Sequence, residues 1–314
     1  MSTPQPIGAI LKVLHPGLCT LVVDHGRPHC RSLGVPVGGA ADRGALAVGN
    51  ALVGNEPDAA ALEVALAGPT LVADAVLACV LYGAPFDLSS DRQPLAVGKT
   101  FTLQPGETLR IGGTARDVRA YFCVRGGFQT PVVLNSRSSL EPLRAGAELP
   151  CLSGTIQSHF ILLEAARTAP AVLRALDGAQ ASWFRAEDFY SATFTVTPAS
   201  NRMGLRLNGP PLPAPPDEMV SEPVCPGTVQ VTREGQCIVL GVDGQTIGGY
   251  PKIAHVISTD LDTLGQLRPG ERVVFRRTRL AEAERLYREK QARLRDWLKR
   301  LRAAEMIADM PREP

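Results

Sequence analysis

Most apolar positions fall in short runs cut by Gly and Pro, the pattern of strands and turns rather than of a helical bundle. Ile10, Val13, Leu18, Leu21, Val22 and Val23 alternate in part, and Pro16-Gly17 breaks them into two short strands. Ala61–Leu66 reads as a strand with Glu63 inside it, and a carboxylate so placed needs a partner. Residues 68–124 read as a series of strands turning at Gly68-Pro69, Gly83-Ala84-Pro85, Pro105-Gly106 and Gly112-Gly113. Residues 141–158 are turn-rich and predict a connection between two halves. Ala171–Ala179 gives a strand and a Gly turn, while Gln236–Val242 and Ile253–Ile257 give two buried strands. A short helix is expected over Ala45–Leu52, with Asp42 where an N-cap belongs and Gly54-Asn55 closing it. The one long helical pattern is the tail, Thr278–Met310. There Leu280, Tyr287, Leu294 and Leu301 recur every seven residues, Trp297 and Leu298 widen the stripe, and the other faces carry both signs of charge.

Composition narrows the class. The chain has 314 residues, with 33 Lys and Arg against 31 Asp and Glu, so no basic field points to nucleic acid. No apolar run is long enough to predict a membrane span, and Met1–Pro6 lacks the pattern of a secretory signal. The 7 cysteines are odd in number, widely spread and free of any Cys-x-x-Cys pair, which predicts reduced thiols in a cytoplasmic protein. Cys225 and Cys237 read as structural, since no neighbouring base is evident. Trp183-Phe184 with Phe189-Tyr190 reads as core or inter-domain packing, and Leu207–Pro216 as an extended surface loop.

Two motifs fail their own context. Gly98-Lys99-Thr100 is no phosphate loop, because Gln93 stands where the first glycine belongs and no helix pattern follows. His25 and His29 with Cys30 make no persuasive metal site, because Gly26 and Pro28 exclude the helix that would align the histidines; no metal is expected.

The stretch Asp243–Lys252, DGQTIGGYPK, is different. Glycines and a proline permit tight turns and close backbone approach, and Asp243, Gln245, Thr246, Tyr250 and Lys252 supply an acid, an amide, a hydroxyl, a phenol and an amine. A glycine-rich hairpin with solvated polar groups fits the pattern equally well.

Several boxes in one order carry more weight than any lone motif. They are Gly26-Arg27, Gly34, Pro36, Gly38-Gly39-Ala40, Asp42, Asn50, Leu52-Val53-Gly54-Asn55 and Leu62-Glu63, then Asn201–Leu207, Ser221-Glu222, Pro226–Val231, Asp243–Lys252 and Gln266–Gly270. Together they resemble the allophanate hydrolase subunit 2 family, also called the biotin-dependent carboxyltransferase family, over roughly residues 10–280. Asn135-Ser136-Arg137-Ser138-Ser139 is similar to a loop that usually opens with glycine, and Asn tolerates left-handed backbone well enough to replace it. The family includes the C-type subunit of 5-oxoprolinase, a sporulation kinase-inhibitor antagonist, and part of the carboxyltransferase region of urea carboxylase.

The resemblance implies a mainly β fold: two cyclophilin-like β-barrel domains, 8–150 and 151–278, and a C-terminal amphipathic helix over 279–307. It implies the C-type subunit of a bacterial ATP-dependent 5-oxoprolinase, opening 5-oxoproline to glutamate with B-type and A-type subunits, ATP being a cosubstrate of the complex. Two alternatives share the signature: a carboxyltransferase subunit acting on urea or a related amide with carboxybiotin, and a non-catalytic antagonist of a kinase inhibitor. No Met-Lys-Met biotinylation motif occurs, so no covalent biotin is expected on this chain. For a small amide or lactam, donors such as Arg202 or Asn50 would polarise the carbonyl, an acceptor such as Asp243 would meet the N–H, and a carboxylate, a tyrosine such as Tyr250 or a lysine would move a proton. Asp42, Glu63, Gln230, Gln245, Thr246 and Lys252 are the expected substrate-binding residues.

Overall fold

A computed structural model describes residues 8–163, 165–167, 169–213 and 219–308. Met1–Pro6, residues 214–216 of the proline-rich loop, and Asp309 and Met310 of the tail lie outside the described residues. The protein is mainly β and divides into two compact units. One includes residues 8–26, 43–163 and 292–308; the other includes Arg27–Asp42 and Ala165–Gln291.

In the first unit the strands are β1 (Gly8–His15), β2 (Cys19–Val23), β3 (Ala61–Ala65), β4 (Thr70–Ala73), β5 (Leu77–Gly83), β6 (Phe86–Ser90), β7 (Phe101–Leu103), β8 (Thr108–Thr114), β9 (Arg119–Val124) and β10 (Glu148–Leu152). They form two five-stranded sheets, β10-β1-β4-β8-β6 and β2-β3-β9-β5-β7. Alternate residues of the first sheet, such as Ala9, Leu11 and Val13, enter the core. Strands β5 and β9 are buried on both faces, because helix α1 (Arg43–Leu52) packs on the side away from that core. Gly49 permits the contact: a Cβ there would stand 2.9 Å from Cys123 Sγ. The helix closes as its sequence predicts, with Gly54 at φ 76° and the Asn55 N–H donating to the Asn50 carbonyl.

Two expectations change here. Gly112-Gly113 is not a turn but the end of β8, where the pairing with β6 shifts register and Gly113 bridges Ala67. The absent side chains admit a close neighbour: a Cβ on Gly112 would stand 3.0 Å from Asp87 Cβ. Within 141–158, residues Glu148–Leu152 form the edge strand β10, pairing antiparallel with β1.

The second unit is a closed barrel of seven strands. Its strands are β11 (Ala171–Asp177), β12 (Thr193–Val196), β13 (Gly204–Asn208), β15 (Thr228–Val231), β16 (Cys237–Leu240), β18 (Lys252–Val256) and β19 (Arg272–Arg277). A separate two-stranded ribbon joins β14 (Glu222–Pro223) to β17 (Ile247–Gly248). The barrel order is β11-β18-β15-β16-β13-β12-β19, closed by the parallel pair β11 and β19. Closure leaves no open edge. Phe189, on helix α2 (Ala186–Ser191), stacks on Phe275 with ring centroids 4.5 Å apart and also meets Phe194. This part of the aromatic cluster is core, whereas Trp183 is exposed. Leu212 turns inward from the proline-rich loop, its N–H donating to the Gly235 carbonyl.

After the short helix α3 (Leu261–Gly265), the chain ends in helix α4 (Leu280–Ala308). No helix among the described residues is long and apolar enough to cross a membrane. The half-buried positions of α4 include Ala283, Leu286, Lys290, Leu294, Trp297, Leu298 and Leu301. Leu280 is 62% exposed and Tyr287 47% exposed, so neither belongs to the packed face. Leu294, Trp297, Leu298 and Leu301 of the expected stripe do lie on the half-buried face.

Candidate functional site

The strands flanking Asp243–Lys252 are not hydrogen-bonded to each other. β16 pairs with β13 and β15, and β18 pairs with β15 and β11, so β15 lies between them. The glycine-rich segment is therefore a crossover across one end of the barrel, not a hairpin. Its middle, Ile247-Gly248, pairs with Glu222-Pro223, and the Val224 N–H donates to the Thr246 carbonyl at 3.0 Å.

Asp243 opens the crossover. Arg202 Nε donates to its Oδ2 at 2.6 Å and Arg202 Nη2 to its Oδ1 at 2.9 Å, a two-pronged pair with both side chains mostly buried. Arg202 Nη2 also donates to the Gly39 carbonyl at 2.7 Å, and the Gly38 N–H donates to the Val242 carbonyl at 2.9 Å. Gly38 and Gly39 have φ of 63° and 74°, backbone that side-chain-bearing residues rarely adopt. Buried Arg27 flanks the same point: a Cβ on Gly38 would lie 3.7 Å from Arg27 Nη1 and 3.8 Å from Asp243 Oδ1. Asp42, directly before α1, accepts from Gln266 Nε2 at 2.8 Å. The second unit thus gathers Arg27, Gly38, Gly39 and Asp42 from the N-terminal boxes with Arg202, Asp243 and Gln266 from the C-terminal ones.

Farther along the crossover, two amides converge on Gly248. A Cβ there would lie 2.5 Å from Gln230 Nε2 and 2.8 Å from Gln245 Nε2. Gln230 is buried and donates to the Tyr250 carbonyl at 3.4 Å, while Gln245 and the Tyr250 phenol are exposed. Thr246 is buried. Lys252 is only 7% exposed; its ammonium pairs with Glu222, and its backbone N–H donates to Gln180 Oε1 at 3.1 Å. Hydrogen bonds from Lys252 and Gln180 hold the Glu222 carboxyl below the usual carboxylate range.

Two expected site residues are engaged elsewhere, in the first unit. Asn50 is 0% exposed: its Nδ2 donates to the Ala59 carbonyl at 2.7 Å, and its Oδ1 accepts from Asn55 Nδ2 at 3.0 Å. It is a brace between α1 and the following loop and has no surface from which to polarise a substrate carbonyl. Glu63, 1% exposed, accepts from Arg119 Nε at 3.1 Å and from the Tyr121 hydroxyl at 2.8 Å. These are the partners its strand setting demands. Arg202 directs Nε and Nη2 to Asp243 and Nη2 also to the Gly39 carbonyl.

Residues outside the expected set also matter. Arg27 and Glu222 fall in the boxes quoted above, so a signal for them existed; Gln180 has none. Among the described residues no group of three or more His, Cys, Asp or Glu side chains could hold a metal ion.

Comparison with known proteins identifies the family. The family model described as carboxyltransferase domain, subdomain A and B, matches residues 33–277. The chain is 35% identical over 294 residues to the 5-oxoprolinase C subunit of Haemophilus influenzae, covering 89% of this chain and 94% of that protein. It is 33% identical over 300 residues to the 5-oxoprolinase C subunit of Escherichia coli K12, covering 90% and 96%. A crystal structure of TTHA0988 superposes with a TM-score of 0.77 at 34% identity over 87% of this chain, which spans 57% of that longer chain. The Kluyveromyces lactis urea carboxylase structure gives a TM-score of 0.82 at 25% identity, covering 93% of this chain and 29% of that one. The chain belongs to the carboxyltransferase domain family, subdomains A and B.

Proposed function

We propose that the chain is the C-type subunit of a 5-oxoprolinase, a hydrolase complex that opens the lactam of 5-oxoproline to glutamate with ATP as cosubstrate. The observation that carries this reading is the 33–35% identity, over about nine-tenths of the chain, to two proteins of that name. B-type and A-type subunits complete the machinery, and this chain by itself is inactive. It is a cytoplasmic bacterial protein and carries no covalent biotin.

The geometry suits a cyclic amide. Asp243 is held from one side by Arg202, and carboxylate oxygens keep acceptor capacity beyond two hydrogen bonds. A lactam N–H donates to Asp243, with the amides of Gln230 and Gln245 and the Tyr250 phenol farther along the crossover to orient the ring and its oxygen. ATP phosphorylates the lactam oxygen within the complex, and the fixed donors stabilise the charge developing there.

The family's description and the urea carboxylase likeness support a second reading, carboxyl transfer from carboxybiotin to a urea-like amide. ADP release by the A-type and B-type subunits is measured with 5-oxoproline, with this chain present or omitted. Release that needs this chain is the expected result. A complex that forms without 5-oxoproline-dependent release overturns the oxoprolinase reading and moves the function to carboxyl transfer.

A further inference from the structure

A cleft of about 370 Å³ opens on the second unit beside the crossover, lined by Asp177, Glu222, Cys225, Thr228, Lys252 and His255. None of Cys225, Thr228 and His255 has a part in the lactam chemistry above.

Three elements build this corner. Cys225 follows the ribbon strand β14, Thr228 begins β15, and His255 lies on β18, directly opposite Thr228 in the β15–β18 pairing. The Thr228 hydroxyl accepts from the Cys225 N–H at 3.2 Å and lies 3.3 Å from His255 Nδ1. The Cys225 sulfur lies 3.8 Å from Nδ1 and 3.7 Å from Nε2 of the same imidazole, and 3.7 Å from the Thr228 oxygen. The sulfur therefore meets a base on one side and a hydroxyl on another while its third side faces the cleft. Cys79, Cys123, Cys151 and Cys237 are buried, and burial pushes their thiols up.

We propose that Cys225 is a nucleophilic thiol and the modification site of this chain, exchanging with low-molecular-weight disulfides that enter the cleft. Burial raises the cost of the thiolate, but the His255 hydrogen bond and charge, the Thr228 hydroxyl and the charge of Arg31 outweigh it and bring the thiol to about 7. The other charged groups lining the cleft are the paired Lys252 and Glu222, and Asp177, which pairs with Arg277. Lys252 Nζ is buried and engaged by Glu222 at the edge of the cleft.

The step is a simple exchange. The Cys225 thiolate attacks one sulfur of the disulfide, a new S–S bond forms as the old one breaks, and the departing thiolate takes a proton from water. Cys225 is oxidised to the mixed disulfide and the departing half is reduced.

Iodoacetamide labelling of the whole folded chain tests this, with sites identified by peptide mass and rates followed from pH 5.5 to 9. The half-exposed Cys19 and Cys30 serve as internal controls. Cys225 is expected to label first, with a midpoint near 7, and to take one glutathionyl group from oxidised glutathione. His255→Asn should move the midpoint towards the ordinary thiol value of about 8.5 and slow labelling at pH 7 several-fold. Labelling of Cys225 no faster than Cys30 at pH 7, a wild-type midpoint near 8.5, or a midpoint unmoved by His255→Asn would each overturn the proposal. The wild-type profile decides alone if the variant does not fold.

Discussion

Arg202 and Asp243 are joined by two parallel hydrogen bonds, Nε to Oδ2 and Nη2 to Oδ1, with both side chains mostly out of water. Removing one partner strands the other charge. Asp243→Ala should cost roughly 3 kcal/mol of stability, at the lower end for a broken buried pair, as well as activity of the complex. Loss of turnover alone therefore does not separate chemistry from folding. Arg202→Ala and the double variant complete a cycle of urea unfolding measurements, in which the double variant should be more stable than the sum of the singles by about 1 kcal/mol or more. Additive effects would mean the pair does not couple.

Gly248→Ala offers a cleaner probe of the crossover. The new methyl would push on the Gln230 and Gln245 amides, which can yield, rather than on backbone. Stability should fall by about 1 to 2 kcal/mol, the lower range for overpacking, while 5-oxoproline-dependent ADP release drops by a larger factor than unfolding explains. Unchanged turnover would remove those two amides from the site.

Glu63 is a structural charge. Its neighbours Arg119 and Tyr121 are themselves buried, so Glu63→Ala should destabilise by about 3–5 kcal/mol. Turnover per folded molecule should stay near wild type, read by activity at a temperature where the variant remains folded. A specific loss of turnover there would return Glu63 to the substrate site.

Asp24 gives the first unit a signature in acid. Burial raises its carboxyl, but Ser136, Ser138 and the Arg137 and Gly26 N–H groups outweigh this and hold it below the usual value. A carboxyl lowered in the folded state stabilises above its unfolded pKa of about 3.9, and that contribution is lost as pH falls through the folded value. Asp24→Asn should thus be less stable than wild type at pH 6, and the gap should close below about pH 3.9. Urea unfolding midpoints across that range check it, and a gap that widens in acid would refute the assignment.

What the sequence reveals follows the range of the interactions involved. Local signals read well: the Gly end of α1, and Asn135, which holds φ at 60° as an asparagine can. The crossover does not read as one, because two apolar runs joined by a glycine-rich loop look the same whether they pair or pass over β15. Asn50 and Glu63 are legible as important yet not as buried braces, since the same polar residue in an apolar run serves either purpose. Cys225 reads as structural in the sequence because its base, His255, lies 30 residues away and reaches it only through the β15–β18 pairing.

The tail shows the same limit in one dimension. A seven-residue reading selects Leu280, Tyr287, Leu294 and Leu301; the last two are half-buried, but at its start the half-buried face runs through Ala283, Leu286 and Lys290. Lys290 fixes that phase, its ammonium donating to the Thr259 carbonyl and Asp262 Oδ2, both at 2.7 Å. Tyr287→Ser should then change stability by no more than about 0.5 kcal/mol, as surface replacements do. Leu286→Ala should cost about 1 kcal/mol or more, since it removes half-buried apolar surface at about 25 cal/mol per Å². Thermal unfolding of the two variants side by side decides the phase: a larger loss for Tyr287→Ser would restore the heptad face.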